Sequence, residues 1–447
     1  MSGKNKLSSL LKRFDRMSKI YLFILCLLPT LGLAQDVLHL EEAIAIALDQ
    51  NIAIEVAALD AEAAEKGVYR SNAGFGPTLS LNANLSGTLA NVNQRFIDGR
   101  QVKRFGRTIA PNANIALDWA LYDGGRMNAI LEQLRLFSEG AGLQSQLVIQ
   151  DIVVQVMEAY FNIIQQNDRL AFLSTIINYY EERLSITEER WKVGRGSKLD
   201  FLQSKTDLNA QLAEAVQARN ALKNAKVALN GILNRDLSLD FQIHEDSLTY
   251  ADYDLENLIE RATEDNRDLL VLQNQRNINL LTEKQIEAGR KPQLDFTSTL
   301  GYNYLNTNAG FLLSNQNASF NVGLRARWVI YDGDHLRNQL EISKLQTSAI
   351  EKQYDQSLQI IVTRLTNAYN QYMVDRELLT FERDNQALAE ENLSISVEKF
   401  KLGDSTILEV NEAQRTYDTA LNRLVTAEYS VRISELALLL LSGSLVR

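Results

Sequence analysis
Four stretches of the chain alternate between apolar and polar residues. From Leu79 the odd positions are Leu79, Leu81, Ala83, Leu85, Gly87 and Leu89, set against Ser80, Asn82, Asn84, Ser86 and Thr88. Ile109, Pro111, Ala113, Ile115, Leu117 and Trp119 oppose Asn112, Asn114 and Asp118, and 294–304 and 320–330 alternate in the same way. A period of two is that of a strand with unlike faces. Elsewhere the apolar residues recur at the helical period. The pattern predicts helices over about 40–72, 126–191 and 198–232, then over about 255–288, 335–400 and 407–441. Polar loops at about 91–107 and 306–318 separate the strands of each pair.

The halves correspond. L-D-W-A-L-Y-D-G-G-R at 117–126 matches A-R-W-V-I-Y-D-G-D-H at 326–335, so that Tyr122, Asp123 and Gly124 align with Tyr331, Asp332 and Gly333, each pair 209 positions apart. W-K-V-G-R-G-S-K-L-D (191–200) matches F-K-L-G-D-S-T-I-L-E (400–409) at the same offset, whereas 40–51 resembles 255–266 and Pro77 matches Pro292 at 215. One connection between the prolines and the Tyr-Asp-Gly motifs is therefore six residues shorter in the second copy. Asp-Gly is turn chemistry, and each Tyr-Asp-Gly is expected to be a joint where strand becomes helix. Two helix–strand–strand–helix–helix repeats, 35–239 and 240–447, follow an export segment at 1–34.

In 126–191 only Gly140 and Gly142 interrupt a stripe that includes Leu147, Ile152, Val156, Tyr160, Ile163 and Leu173. A helix of about 65 residues is roughly 100 Å long, several times the usual length and coiled-coil-like. Two shorter helices end to end match it, so each half should set one long helix beside a stacked pair, crossing at roughly +20°.

Composition narrows the function. Lys and Arg number 46 against 56 Asp and Glu, a formal charge of −10, with no basic patch pointing to nucleic acid. Residues 12–33 have a basic start and an apolar run before Gly32-Leu33-Ala34, the form of a secretory signal, with Met17 an alternative start. About 14 apolar residues are too few for a membrane anchor. Cys26, the one cysteine, lies inside that segment behind bulky Leu25, so neither a lipid anchor, a disulfide nor thiol chemistry is expected. No later apolar run, the longest being Leu436–Leu441, reads as a transmembrane helix. His39, His244 and His335 match no metal spacing, no catalytic or nucleotide motif occurs, and Tyr179-Tyr180 reads as packing. Neither an enzyme nor a cofactor is expected.

An exported chain whose strands are apolar on one face and rich in Asn, Ser and Thr on the other fits a transmembrane barrel strand, although a half-buried soluble sheet alternates alike. In a membrane the sheet must close, and four strands cannot close alone. Two chains would leave little lumen; three give about twelve strands and an open pore. An exported coiled-coil rod or adhesin-like protein would explain the helices but not the strands.

At this point the chain resembles the TolC-type outer membrane efflux and secretion channels, over about 36–443. The resemblance rests on the duplication, the Tyr-Asp-Gly joints and the motifs at Gly194-x5-Asp200 and Gly403-x5-Glu409-x2-Glu412. It implies an α+β membrane protein: a homotrimer whose twelve-strand outer membrane β-barrel continues into a twelve-helix, coiled-coil-like periplasmic α-barrel. The partners implied are a periplasmic adaptor (membrane fusion) protein, an inner-membrane RND or ABC pump, and outer membrane lipid. Gly194 and Gly403 would mark the adaptor-docking tips, Glu409 and Glu412 would narrow the pore, and Asp200 and Arg195 would make closing contacts. The residues alone also allow plain hairpin turns capped by Ser197 or Ser405, with the glutamates a favourable acidic first turn.

Overall fold
The computed structural model describes residues 37–244, 250–309 and 312–445; the segment read as a signal, with Cys26, lies outside them. β1 (Val37–Leu38), α1 (Leu40–Gln50) and α2 (Ile52–Gly67) lead into β2 (Thr78–Arg95) and β3 (Gln101–Tyr122). α3 (Arg126–Lys192), α4 (Lys198–Ile232), β4 (Gln242–Ile243), α5 (Leu255–Asp265) and α6 (Arg267–Ala288) follow, then β5 (Gln293–Thr307), β6 (Ser314–Arg327), α7 (His335–Leu402) and α8 (Ile407–Leu441). α3 and α7 are unbroken over 67 and 68 residues. Gly140 does not interrupt α3: a Cβ there would meet Asn274 Oδ1 of α6 at 2.9 Å, so the glycine serves helix contact.

The two single helices expected at 40–72 and 255–288 are each two helices. Asn51 and Asn266 leave the helical backbone and their side chains accept from Ala53 N and from Asp268 N and Leu269 N. The same amides donate to the last carbonyls of the stacked partner: Asn51 Nδ2 to Ile232 O (2.8 Å) and Asn266 Nδ2 to Leu441 O (3.2 Å). Each asparagine therefore caps one helix and terminates another, and this fixes the stacked pair end to end.

The helices form a wall. Near the strands α3 lies between α2 and α6, with α7 beyond; towards the opposite end it lies between α4 and α8, again with α7 beyond. One core joins Ala43, Ala47, Ile54, Val156, Ile163, Leu229 and Phe241, and another Leu258, Ala262, Leu269, Leu365, Tyr372 and Leu438. A third core, of Ile176, Tyr180, Leu393, Val397, Val410 and Tyr417, joins α3 to α7 and α8. Among the described residues one helix, α3, is long and apolar enough to cross a membrane by length and composition, with 39% of the relevant window buried; this amends the expectation that no later helix qualifies. Its stripe residues Ile152, Val156, Tyr160 and Ile163 lie in the first core.

Midway along, β1 pairs in parallel with β4, and the buried Tyr160 hydroxyl donates to the carbonyls of Leu38 and His244. This brings His39 and His244, distant in sequence, to 4.6 Å between ring centroids; among the described residues no group of three or more His, Cys, Asp or Glu could hold a metal.

The strands form one antiparallel sheet in the order β2-β3-β5-β6. They run beyond the expected ends: 91–95 and 101–107 are strand, not loop, and in the second pair β5 continues to Thr307 and β6 starts at Ser314. The ladder persists where apolar alternation fades because backbone pairing does not need it. From Thr108 onward β3 pairs with β5 except at Ala110 and Pro111, where proline has no N–H to give, and at Leu121, where the register shifts. The register aligns the two faces. Leu81, Ile115, Leu300 and Phe320 form one row on the apolar face, and Asn84, Asn112, Asn303 and Asn317 one row on the other. Leu81 and Leu85 are each 73% exposed and Phe320 is 68% exposed, so among the described residues of the single chain this face covers nothing. β2 and β6 are unpaired edges.

At the joints, Asp123 Oδ2 accepts from Met127 N (2.7 Å) and Asp332 Oδ2 from Leu336 N (2.9 Å). Each aspartate caps a long helix from behind the left-handed Gly124 or Gly333. Trp119 Nε1 donates to Phe75 O and Trp328 Nε1 to Arg290 O, both at 3.0 Å. The second joint departs from expectation, because β6 ends at Arg327 and Trp328–Asp334 form an exposed connection. The joints also differ in crowding. A Cβ on Gly124 would lie 2.4 Å from Ala288 O, whereas one on Gly333 would meet nothing within 4 Å. Gly333→Ala should cost about 1–2 kcal/mol, the left-handed strain alone. Gly124→Ala should cost clearly more, because α6 must also move. Thermal denaturation of the two extracted variants checks this, and equal shifts would mean that the close approach carries no weight.

Candidate functional site
The ends of the two helical hairpins hold most of the residues singled out in the sequence. Gly194 (φ +74°) lies just beyond the end of α3 and Gly403 (φ +93°) just beyond that of α7. In each tip the next backbone N–H reverses onto a helix carbonyl: Arg195 N to Arg190 O (2.8 Å) and Asp404 N to Lys399 O (3.0 Å). This glycine closure satisfies carbonyls that the helix end leaves open. Ser197 caps α4 by accepting from Leu199 N (3.0 Å). In the other tip the cap is Thr406, not Ser405 as expected, and 406 is the residue 209 positions after 197. Thr406 Oγ1 accepts from Glu409 N (3.4 Å), while Ser405 Oγ donates to Glu409 Oε2 at 2.6 Å. That hydrogen bond holds the Glu409 carboxyl below its ordinary range. Glu412 faces Arg415, whose Nη2 lies 2.9 Å from Oε2.

The side chains of Arg195 and Asp200 make no hydrogen bond or ion pair among the described residues. Other residues join the hairpins. Arg190 donates to Phe400 O and lies 4.2 Å over the Phe400 ring, and Lys401 Nζ pairs with Glu182 at 2.5 Å. Deeper, the buried Arg183 guanidinium bonds Asp207 Oδ2 (2.5 Å) of α4 and Gln414 Oε1 (2.7 Å) and Asn411 of α8. Beside it Tyr180 OH donates to Asp418 Oδ2 at 3.2 Å. One arginine thus ties three helices. Burial pushes the Asp418 carboxyl up to about 6 against the pull of the Tyr180 hydroxyl; Glu214 adds to the rise and Arg183 opposes it.

Apolar side chains are exposed at both tips, at matching places: Val193 and Leu402, Leu199 and Leu408, each pair 209 apart. The sequence profile described as Outer membrane efflux protein matches residues 43–235 and 258–444. The chain belongs to that family. It is 25% identical over 341 residues to the outer membrane protein TolC of Escherichia coli (strain K12), spanning 73% of this chain and 68% of that protein. It is 23% identical over 332 residues to the outer membrane efflux protein BepC of Brucella suis biovar 1 (strain 1330), spanning 74% and 71%. The fold matches the outer-membrane channel OprN with a TM-score of 0.74 at 18% identity, over 91% of this chain and 90% of that one. It matches the outer membrane protein VceC of Vibrio cholerae with a TM-score of 0.72 at 16% identity, over 90% and 96%. This efflux protein is therefore an outer membrane channel of a Gram-negative cell, of a family of channel proteins rather than enzymes.

Sequence reasoning found the glycine tips and the first-turn Glu409 of the efflux protein, but Glu412 lies beyond the first turn, and Arg183, Arg190 and Asp418 were missed. Their partners are distant in sequence, and only an arginine amid an apolar stripe could have flagged Arg183. Facing Asp418 are Tyr180 and Arg183 from α3 and Glu214 from α4. Its folded carboxyl titrates near 6 instead of 3.8. Its contribution to stability is thus full below the unfolded value and lost as pH rises through about 6. The denaturation midpoint should fall over that window, and Asp418→Asn should remove that part of the fall. Identical pH profiles for the two proteins would contradict this.

Proposed function
We propose that three copies of the chain form a passive conduit, the outer membrane component of a tripartite efflux or type I secretion system. The observation that carries this reading is the sheet: four strands, an apolar face that covers nothing, and two free edges. Three such sheets edge to edge would close a barrel of twelve strands with lipid outside and the asparagine rows inside. Four helices side by side at each level would continue it as a twelve-helix tunnel. The strand turns would face the cell exterior and the helical tips the periplasm. Repeats 35–239 and 240–447, related by internal duplication, would supply the pseudo-equivalent halves of each wall; the recurrence of the asparagine, tryptophan and aspartate bonds at fixed offsets supports this.

The tips would receive a periplasmic adaptor, itself joined to an inner-membrane pump of the RND or ABC class that supplies the energy. Gly194 and Gly403 allow close approach, and Val193, Leu199, Leu402 and Leu408 offer exposed apolar surface for helices to cover. Glu409 and Glu412 would ring the axis as the gate. Because Arg415 faces Glu412, the unopposed charge falls on Glu409. Arg195 and Asp200 remain available for contacts between neighbouring chains. In planar bilayers the extracted protein, with a native mass of three chains, should conduct, prefer cations and be blocked by polyvalent cations from the tip side. Glu409→Gln with Glu412→Gln should weaken both preference and block without altering the mass. An unchanged block would leave the glutamates as helix-start residues only.

A further inference from the structure
The β2–β3 hairpin outruns its neighbours. β5 and β6 end near Thr307 and Ser314, but β2 and β3 stay paired for seven further rungs, from Leu89↔Arg107 through Ala90↔Gly106 to Arg95↔Gln101. Beyond Arg107, whose N–H is taken by Asn308 Oδ1 at 2.7 Å, the hairpin is a ribbon of two strands. Such a ribbon is marginally stable by itself in water.

Its charge is opposite to that of the chain. The chain carries −10, yet 95–107 holds Arg95, Arg100, Lys103, Arg104 and Arg107 against the single acid Asp98. Asp98 is already occupied by Arg100 at 2.7 Å, in a turn closed by Gly99. The other four cations are exposed and have no ion pair among the described residues.

The faces separate these four. The β2–β3 register is continuous, so Arg107, Lys103 and Arg95 lie on the face of Leu79, Leu81, Leu85 and Leu89, while Arg104 lies on the face of the asparagines. Arg107 is opposite Leu89, the last leucine of the apolar band, and Phe105 follows it. The ten steps from Leu79 to Leu89 rise about 33 Å along the strand, or about 25 Å along the membrane normal at barrel tilt. That is the height of a barrel's apolar band. The cationic column therefore starts where hydrocarbon ends.

We propose that Arg107, Lys103 and Arg95 dock on the phosphate groups of an anionic glycolipid in the outer leaflet and so seat the protruding hairpin on the membrane surface. Phe105, between the cations, lies at head-group depth, where aromatic rings partition. The inference rests on the barrel reading above, which sets the apolar face towards lipid. A column of cations beside a membrane attracts anionic head groups additively, and arginine binds phosphate through paired N–H groups.

The test is native mass spectrometry of the full mature channel titrated with diphosphorylated lipid A and with its dephosphorylated form. The wild type should prefer the phosphorylated lipid, and the triple variant R95Q, K103Q, R107Q should lose affinity for it on the order of a hundredfold. R104Q, on the other face, should keep it, and excess inorganic phosphate should not displace the lipid. Retained preference in the triple variant, equal loss in R104Q, or displacement by inorganic phosphate would overturn the proposal. Planar-bilayer conductance separates the two levels: a wild type that conducts but shows no lipid preference defeats the docking alone, and one that forms no channel defeats the barrel reading with it.

Discussion
Unpaired backbone at a sheet edge is the constraint on which the rest depends. β2 and β6 each present a row of N–H and C=O groups along one side, and lipid offers nothing to satisfy them. An edge in water could be blunted by charge or proline. Here the edge strands carry Leu81, Leu85, Val322 and Leu324 on a shared apolar face that packs on nothing among the described residues. Polar backbone and apolar side chains are satisfied together only by other strands at the edges and lipid on the face.

The helices meet a related demand by other means. A wall with exposed sides has no deep core, so each long helix is held by small cores spaced along it and by polar bonds at fixed points. Asn51 and Asn266 hold the stacked ends, Asp123 and Asp332 start the long helices, and Trp119 and Trp328 tie the sheet to the segments before it. The offsets agree with the sequence: the tryptophans are 209 apart and their acceptors, Phe75 and Arg290, 215. The missing six residues therefore lie between acceptor and donor, within the strand pair. Arg183 ties the hairpins where the wall approaches the tips, and the buried Asp418 lies beside it.

Much of this was legible because period and repetition are local signals. The alternation from Leu79 gave the face of every strand, and Tyr-Asp-Gly gave the joints. Strand ends were not legible, because 91–107 loses apolar alternation while keeping backbone pairing. The breaks at Asn51 and Asn266 were hidden in stretches that keep the helical period on both sides. The alternation over 320–330 extends a strand to Ile330, but the ladder stops at Arg327, where β5 has no further partner residue. At the candidate site the glycines were visible as backbone requirements. Glu409 was visible as a first-turn acid, though not its bond to Ser405. Arg183 and Asp418 derive their roles from residues on other helices, which no local pattern encodes.

The claim that edges pair between chains can be tested directly, since the one cysteine of the sequence lies at position 26, before the repeats. Single cysteines placed along β2 and along β6 can be combined in one chain and oxidised in isolated outer membranes. The account predicts covalent species of two and three chains and none larger, from register-matched pairs only. Exclusive cross-linking within single chains, or no cross-linking from any pair, would contradict it.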